Sequence, residues 1–261
     1  MDGDVTPLGL AASLLLVAVS IAISRAQQLR LERDMVVSVV RSLAQLLLAG
    51  AALGLVVDED APILLSWLWV AAIVVFAAAT VRRRAPRLPG VFTISLAANA
   101  GSAVVGLGTL FALGIFPMEG RTVVPLAGMV VGNAFKSGVL AVLRLTEAVG
   151  ERRDDVEARL ALGLPAPDAV RPIVRGTLRL AISPQVENIK GLGIMFLPGA
   201  MTGLILAGVD PLDAVLVQLA LMYVILGGVV TTTTVTTLLT VRRLVTPDHR
   251  LVPFARETRD E

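Results

Sequence analysis

Seven apolar stretches fill most of this chain, and its basic residues cluster in alternate gaps between them. A hydrocarbon core of ~30 Å takes ~20 apolar residues as helix. Inside it every backbone polar group needs a partner within the protein, so such a chain crosses as helices. The spans expected from the sequence are Leu8–Ile23, Met35–Val57, Ile63–Thr80, Val91–Phe116, Val123–Leu145, Gly191–Gly208 and Ala214–Thr240. The gap after the first carries Arg25, Arg30 and Arg33, and the gap after the third carries Arg82, Arg83, Arg84 and Arg87. The gap after the fifth holds a basic run from Arg152 to Arg179, and Arg242 and Arg243 follow the seventh. The other gaps hold Asp58, Glu59 and Asp60, then Glu119 with Arg121, then Asp210 with Asp213. The positive-inside rule therefore predicts an all-α, polytopic protein of seven transmembrane helices, its N-terminus outside and its C-terminus cytoplasmic. A plasma-membrane, multi-pass location follows from this pattern.

The charge balance supports the same class. The formal net charge of +2 comes from arginines beside membrane ends, with no basic domain after them, so nucleic acid is not an expected partner. There is no cysteine, which excludes disulfides, thiolate metal sites and thiol catalysis. Met1-Asp2-Gly3-Asp4 lacks the basic flank of a secretory signal, so the first span is expected to stay as an anchor. The organisation predicted is one transmembrane domain over residues 1–245, including a long cytoplasmic loop at 146–190, and a tail at 246–261.

That loop is amphipathic. Val156, Leu160 and Gly163 recur at helical spacing, with Arg152, Arg153, Glu157 and Arg159 on other faces. Leu164-Pro165-Ala166-Pro167 must break the helix, because proline removes a donor and restricts the residue before it. Asp168 is placed to cap a second helix that runs toward Ile182. The loop thus reads as helix, tight turn, helix, too small for a core of its own. Two readings stand: it presents a short element to a cytoplasmic partner, or it lies on the membrane surface.

No phosphate-binding loop and no His-Glu-x-x-His motif is present, and the one histidine, His249, falls in the polar tail. No catalytic residue is assigned, and no residue set is assigned to a metal. Methionines 129, 195, 201 and 222 lie within spans and admit two readings, thioethers that fill packing gaps, their ordinary role, or ligands to a soft metal. The remaining candidates are polar groups at membrane depth, which tend to face protein or water. Arg41 and Gln45 stand one turn apart in the second span, with Arg41 near enough to the end to snorkel. Asn99 lies in the fourth span, and Asn133 with Lys136 share a face of the fifth. The Lys136 ammonium must pair, reach water or lose its proton. Glu187 and Lys190, also i and i+3, suit an ion pair where the sixth span begins, and Gln218 lies early in the seventh. Pro198-Gly199 is expected to kink the sixth span, and interrupted helices often line transport sites. The run Thr231–Thr237 admits two readings, hydroxyls bonded back to their own helix or a hydroxyl-lined path. Gly50/Gly54, Gly128/Gly132 and Gly199/Gly203 form GxxxG pairs suited to close helix packing.

Arg41-Ser-Leu-Ala-Gln45-Leu-Leu-Leu-Ala-Gly50, Gly128-Met-Val-Val-Gly-Asn133-Ala134 and Lys190-Gly-Leu-Gly…Leu197-Pro-Gly-Ala-Met-Thr-Gly203…Gly208 together resemble the bacterial iron-export ABC permease family, relatives of which are plant aluminium-sensitivity proteins. The resemblance runs in order through nearly the whole chain. It implies a non-enzymatic membrane subunit that binds no cofactor itself and works with a separate cytoplasmic ABC ATPase carrying ATP and Mg. It also implies export of an iron-like metal ion or a small metabolite, with sugar-nucleotide transport in plant relatives. Glu157-Ala158…Gly163 resembles the loop by which many ABC permeases dock their ATPase, so Glu157, Ala158, Gly163 and Asp168 are the candidate docking residues. Arg159 departs from that pattern, where alanine is usual, and no Leu-Pro follows Ile173. Lys136 also departs from it, the family place being uncharged. Its readings are a different substrate or a snorkelling side chain. Two membrane halves for two ATPases imply a homodimer. Asn133, Lys136, Pro198, Gly199 and Gln218 are the candidate translocation path, and Arg41, Gln45, Glu187 and Lys190 the structural polar set. The alternative class is an ATPase-independent secondary carrier or membrane scaffold. The absence of any carboxylate deep in a span weighs against a coupled carrier.

Overall fold

Prolines and capping side chains set several of the helix limits. Pro211 opens the last long helix at a position whose N–H would be unbonded in any case. The Asp210 carboxylate just before it accepts a hydrogen bond from the Leu212 N–H at 2.9 Å. The structure, a computed structural model, describes residues 7–56, 61–86, 88–246, 248 and 250–252. Asp4, Asp58, Glu59, Asp60, Arg87 and His249, read above from the sequence, lie outside the described residues. In chain order the helices are α1 (Pro7–Ala26), α2 (Glu32–Val56), α3 (Ile63–Arg84), α4 (Val91–Ala112), α5 (Gly120–Glu151), α6 (Arg153–Ala161), α7 (Ala166–Ala169), α8 (Arg171–Lys190), α9 (Gly199–Leu206) and α10 (Pro211–Leu244). Among the described residues, α2, α3, α4, α5 and α10 are long and apolar enough to cross a bilayer, and α1 adds a shorter apolar helix.

Residues 59–261 form one compact unit. Its core joins Val70 and Val74 of α3, Ala103, Leu107 and Leu110 of α4, Val123, Ala127 and Val131 of α5, and Leu221 of α10. Small residues let the backbones approach. A Cβ added at Gly106 of α4 would meet Val130 of α5 at 2.7 Å, and one at Gly228 of α10 would meet the Ser102 hydroxyl of α4 at 2.7 Å. At Gly138 of α5 the neighbour is the Thr232 methyl of α10, at 3.0 Å. The GxxxG pairs behave otherwise. A Cβ at any of their six glycines would meet no atom within 4 Å, so packing within the chain does not explain them.

The helices α5 and α10, of 32 and 34 residues, rise roughly 50 Å each, well beyond a ~30 Å hydrocarbon core. The long loop packs on their far ends. Val156 and Leu160 of α6, Ala169 of α7, Val170 and Ile173 of α8 are buried with Leu145, Val149, Val241 and Leu244. The loop therefore continues the bundle's core. Leu251 is buried in the same cluster, and Val252 donates its N–H to Leu244 O at 3.0 Å, so the first residues of the expected tail fold back onto the bundle.

Two expectations need correction. Asp168 does not cap α8; it lies inside α7, and Val170 holds the cap position with no side-chain bond. The sixth apolar stretch is not one kinked helix. The α8 helix ends at Lys190, a tight loop follows, and Pro198 stands at the N-cap of the separate helix α9. The Gly193 N–H donates to Phe196 O at 3.1 Å, and the Met195 N–H to Gly191 O at 2.9 Å. Gly193 supplies the φ of +80° that this turn requires. With 8 residues, α9 rises about 12 Å and does not reach across a bilayer. The two glycines and the Pro-Gly step stop helix propagation on both sides of an otherwise apolar run.

Residues 1–58 form the second compact unit. In it Ser24, buried at the end of α1, donates to the Glu32 carboxylate at 3.0 Å and accepts from the Leu31 N–H at 3.3 Å. This pins the α1–α2 turn, where Gln28 and Arg30 take left-handed φ angles of 54° and 58°.

Candidate functional site

A polar seam runs between α4 and α10. Ser95, Asn99 and Ser102 fall on one face of α4, and Thr232, Thr233, Thr236, Thr237 and Thr240 are buried on α10. The Thr232 hydroxyl crosses the seam and donates to Ala98 O at 3.2 Å. Thr237 instead donates to Thr233 O of its own helix at 2.7 Å, the ordinary fate of a threonine in an apolar helix. Asn99 donates its amide to Ser95 O at 2.8 Å. The Asn99 Oδ1 and the hydroxyls of Ser95, Ser102, Thr233 and Thr240 are buried with no partner among the described residues. An unpaired buried hydroxyl or amide costs roughly 1–3 kcal/mol, so the seam concentrates unspent hydrogen-bonding capacity at membrane depth. Gly228 lets α10 approach Ser102 closely at this level.

The candidate path residues take separate places. Asn133 of α5 is half-buried, and its amide bonds back to Met129 O at 2.7 Å. Lys136, one turn on, is exposed on the single chain and makes no ion pair with any described residue. Gln218 is 3% exposed, with both amide atoms unpartnered among the described residues. Through the Val130–Gly228 and Gly138–Thr232 contacts, Asn133 stands about level with Gly228. Ten residues therefore put Gln218 about 15 Å along the axis from it. Pro198 and Gly199 lie at the start of α9, which packs against α10 and whose Ala200 joins the core cluster that includes Leu221. The fold thus brings Pro198 and Gly199 toward the Gln218 end of α10, and Asn133 toward the threonine seam. It does not gather all five within one chain. Ser95 and Ser102 were missed by sequence reading, since lone serines in an apolar helix carry no distinctive pattern; the threonine run was the visible signal.

The loop offers the second surface. Val156 and Leu160 point into the bundle, which leaves Ala158 exposed and Glu157 paired with Arg153 at 3.4 Å. Gly163 follows with a φ of +84°. Its N–H donates to Leu160 O at 2.9 Å and that of Leu164 to Arg159 O at 3.1 Å, the bond pair of a Schellman cap. No atom lies within 4 Å of a Cβ placed there, so glycine is required within the chain by backbone conformation, with no close contact. Leu162, beside it, is 81% exposed, an apolar side chain at the loop's tip that sequence reading passed over. Arg159, at the position where alanine was expected, pairs with Asp155 at 3.0 Å and reaches toward Ala169 O at 3.5 Å, tying α6 to α7. Asp168 pairs loosely with Arg171 at 3.6 Å.

Of the structural polar set, Glu187 and Lys190 form the expected ion pair at 2.8 Å, on the surface. Arg41 and Gln45 are both exposed on α2. Among the described residues no group of three or more His, Cys, Asp or Glu side chains comes together to hold a metal.

The profile of the family described as "Uncharacterised protein family (UPF0014)" matches residues 7–245. The chain is 32% identical to the UPF0014 membrane protein YjkA of Bacillus subtilis (strain 168), over 94% of this chain and 97% of that one. It is 32% identical to the "Probable iron export permease protein FetB" of Escherichia coli (strain K12), over 95% and 96%. It is 35% identical to the UPF0014 membrane protein STAR2 of Oryza sativa subsp. japonica, over 83% and 75%. No solved structure matches the chain.

Proposed function

This chain belongs to the UPF0014 family and is a multi-pass membrane protein, and from that premise we propose that it is the membrane-spanning subunit of an ATP-binding cassette exporter. Its ATPase is a separate polypeptide, which brings ATP and Mg. The cargo is an iron-like metal ion or a small metabolite, the first in keeping with the name of the FetB relative. The observation that carries the reading is the α6–α7 platform. It is rooted in the ends of α5 and α10 through Val156, Leu160 and Ala169 while presenting Ala158, Leu162 and Gly163 outward. A chain without a phosphate loop that spends its largest loop on a rigid external platform has a use for a partner there.

The N-terminus lies outside and the platform in the cytoplasm. The chain enters the bilayer seven times, the sixth as the loop and short helix around Pro198. Two copies pair through the open glycine faces, which lack neighbours within one chain. With no native cysteine, cysteines introduced at Asp4 and Asp155 report orientation without background. They are expected to label from opposite sides of intact cells, and labelling of both from outside sinks the orientation.

Transport in vesicles holding the purified permease and the candidate ATPase, across metals and nucleotide sugars, tests the function. Cargo is expected to move only with both proteins and ATP. Equal movement without the ATPase would instead indicate a secondary carrier. The cargo passes along the Asn133 side of the seam, with Lys136 facing a polar interior between copies, because a lysine facing lipid costs ~3 kcal/mol on insertion scales. Lys136→Leu is expected to insert normally and to lower ATP-driven transport about tenfold, the loss of one charged contact of about 1.4 kcal/mol. Asn133→Leu is expected to impair transport of every cargo. Wild-type transport by both variants removes α5 from the path.

A further inference from the structure

Where α3 and α10 end and α4 begins, positive charge gathers with no counter-ion among the described residues. Arg82, Arg83 and Arg84 close α3, and Arg242 and Arg243 close α10. All five are exposed, and none pairs with a carboxylate among the described residues. Elsewhere in the same unit six basic residues do pair: Arg121, Arg144, Arg153, Arg159, Arg171 and Lys190 each meet an acid within four residues. The cluster is also shaped. A cleft of about 380 Å³ opens between α4 and α10, lined by Thr93, Ile94, Leu239, Arg242 and Arg243, with no acidic side chain in its wall. The Arg243 guanidinium reaches over the start of α4, 3.7 Å from the position a Gly90 Cβ would take. Gly90 is the N-cap, with a φ of +74° and no side-chain cap, so the positive pole of α4 opens toward the same cleft. The apolar side chains Ile94 and Leu239 line it together with the arginines. Both α3 and α10 turn from apolar to basic at this level, which is where a bilayer turns from hydrocarbon to headgroup.

We propose that this cleft holds the phosphate of an anionic phospholipid headgroup, gripped by Arg242 and Arg243 with the start of α4 beneath it, its acyl chains lying along α4 and α10; the Thr93 hydroxyl at its wall donates to Gly90 O at 2.8 Å. Two guanidinium forks and a helix N-terminus suit a phosphate diester. The apolar lining suits a lipid over a free anion, which would gain nothing from Ile94 and Leu239. Juxtamembrane arginines gain most when the anion stays at the surface.

The test uses the full chain, purified in mild detergent, equilibrated with equal amounts of phosphatidylglycerol and phosphatidylcholine, and read by native mass spectrometry. The wild type is expected to retain phosphatidylglycerol over phosphatidylcholine about tenfold. The double variant Arg242→Gln/Arg243→Gln is expected to lose that preference, while Arg121→Gln, paired with Glu119 at the other end of the bundle, keeps it. If the double variant fails to fold, Thr93→Glu removes no arginine and places a negative charge in the cleft, with the same loss expected. A wild type without preference, or a folded double variant or Thr93→Glu variant that retains it, overturns the proposal. Displacement of the lipid by millimolar inorganic phosphate overturns it as well, by assigning the cleft to a free anion.

Discussion

Gly106→Leu is expected to leave little folded protein in the membrane, whereas Gly108→Leu, two residues along the same helix, should behave as wild type. A Cβ at Gly106 would stand 2.7 and 3.3 Å from the two methyl carbons of Val130 and 3.4 Å from Val224. Val130 is fully buried, and a β-branched side chain in a helix has one strongly preferred rotamer, so it cannot swing aside. A leucine there must push α4 away from both α5 and α10, and overpacking on this scale costs about 3 kcal/mol or more. Gly108 meets no atom within 4 Å, so its side chain extends into open space. Thermal unfolding of the two variants in the same detergent decides the matter. Equal melting of Gly106→Leu and wild type would mean that α4 and α5 do not approach as closely as the structure has them.

Leu162→Glu is expected to release the ATPase, weakening its recovery on co-purification roughly thirtyfold, the loss of one apolar anchor of about 2 kcal/mol at an interface. Leu162 is exposed at the tip of α6 and contributes nothing to the buried cluster beneath, so the permease itself should insert and melt normally. Gly163 separates backbone from contact. Gly163→Ala forces an L-residue into the left-handed region, at roughly 1–2 kcal/mol, and should weaken both the Schellman cap and the complex. Gly163→Asn should recover part of the loss, because asparagine visits that region more readily. Gly163→Glu combines the backbone penalty with a charge at the surface and should bind least. Full recovery of ATPase with Leu162→Glu would argue that the platform faces something other than the ATPase.

Much of the helix layout was legible because each span carries its own cause. The limits read for the second, third, fifth and seventh spans fall within α2, α3, α5 and α10, apart from Val57, outside the described residues. In the loop, Val156 and Leu160 at i and i+4 were enough to announce an apolar helix face, though not that it would be buried on the bundle, where both lie. The Glu187–Lys190 pair was likewise legible, since i and i+3 side chains on a helix are neighbours whatever surrounds them. The sixth stretch was misread because its hydropathy outweighed its punctuation. Gly191, Gly193, Pro198 and Gly199 within nine residues break helix on local grounds, and a run of apolar side chains does not repair that.

The glycines and the threonines mark the limit of such reading. Spacing singled out Gly128, Gly132, Gly199 and Gly203, which meet nothing in the chain, and passed over Gly106, Gly138 and Gly228, which the packing requires. It noticed the run of threonines but not that Thr232 would reach Ala98 on a helix 134 residues away. Helix formation and membrane residence follow from local composition, because hydrocarbon compels each backbone to satisfy itself. The choice of face toward a neighbour is different in kind. Within a bilayer apolar surface gains almost nothing by leaving lipid for protein. Close contact between backbones and the pairing of hydroxyls across helices then decide which surfaces meet, and those quantities exist only once the helices stand side by side.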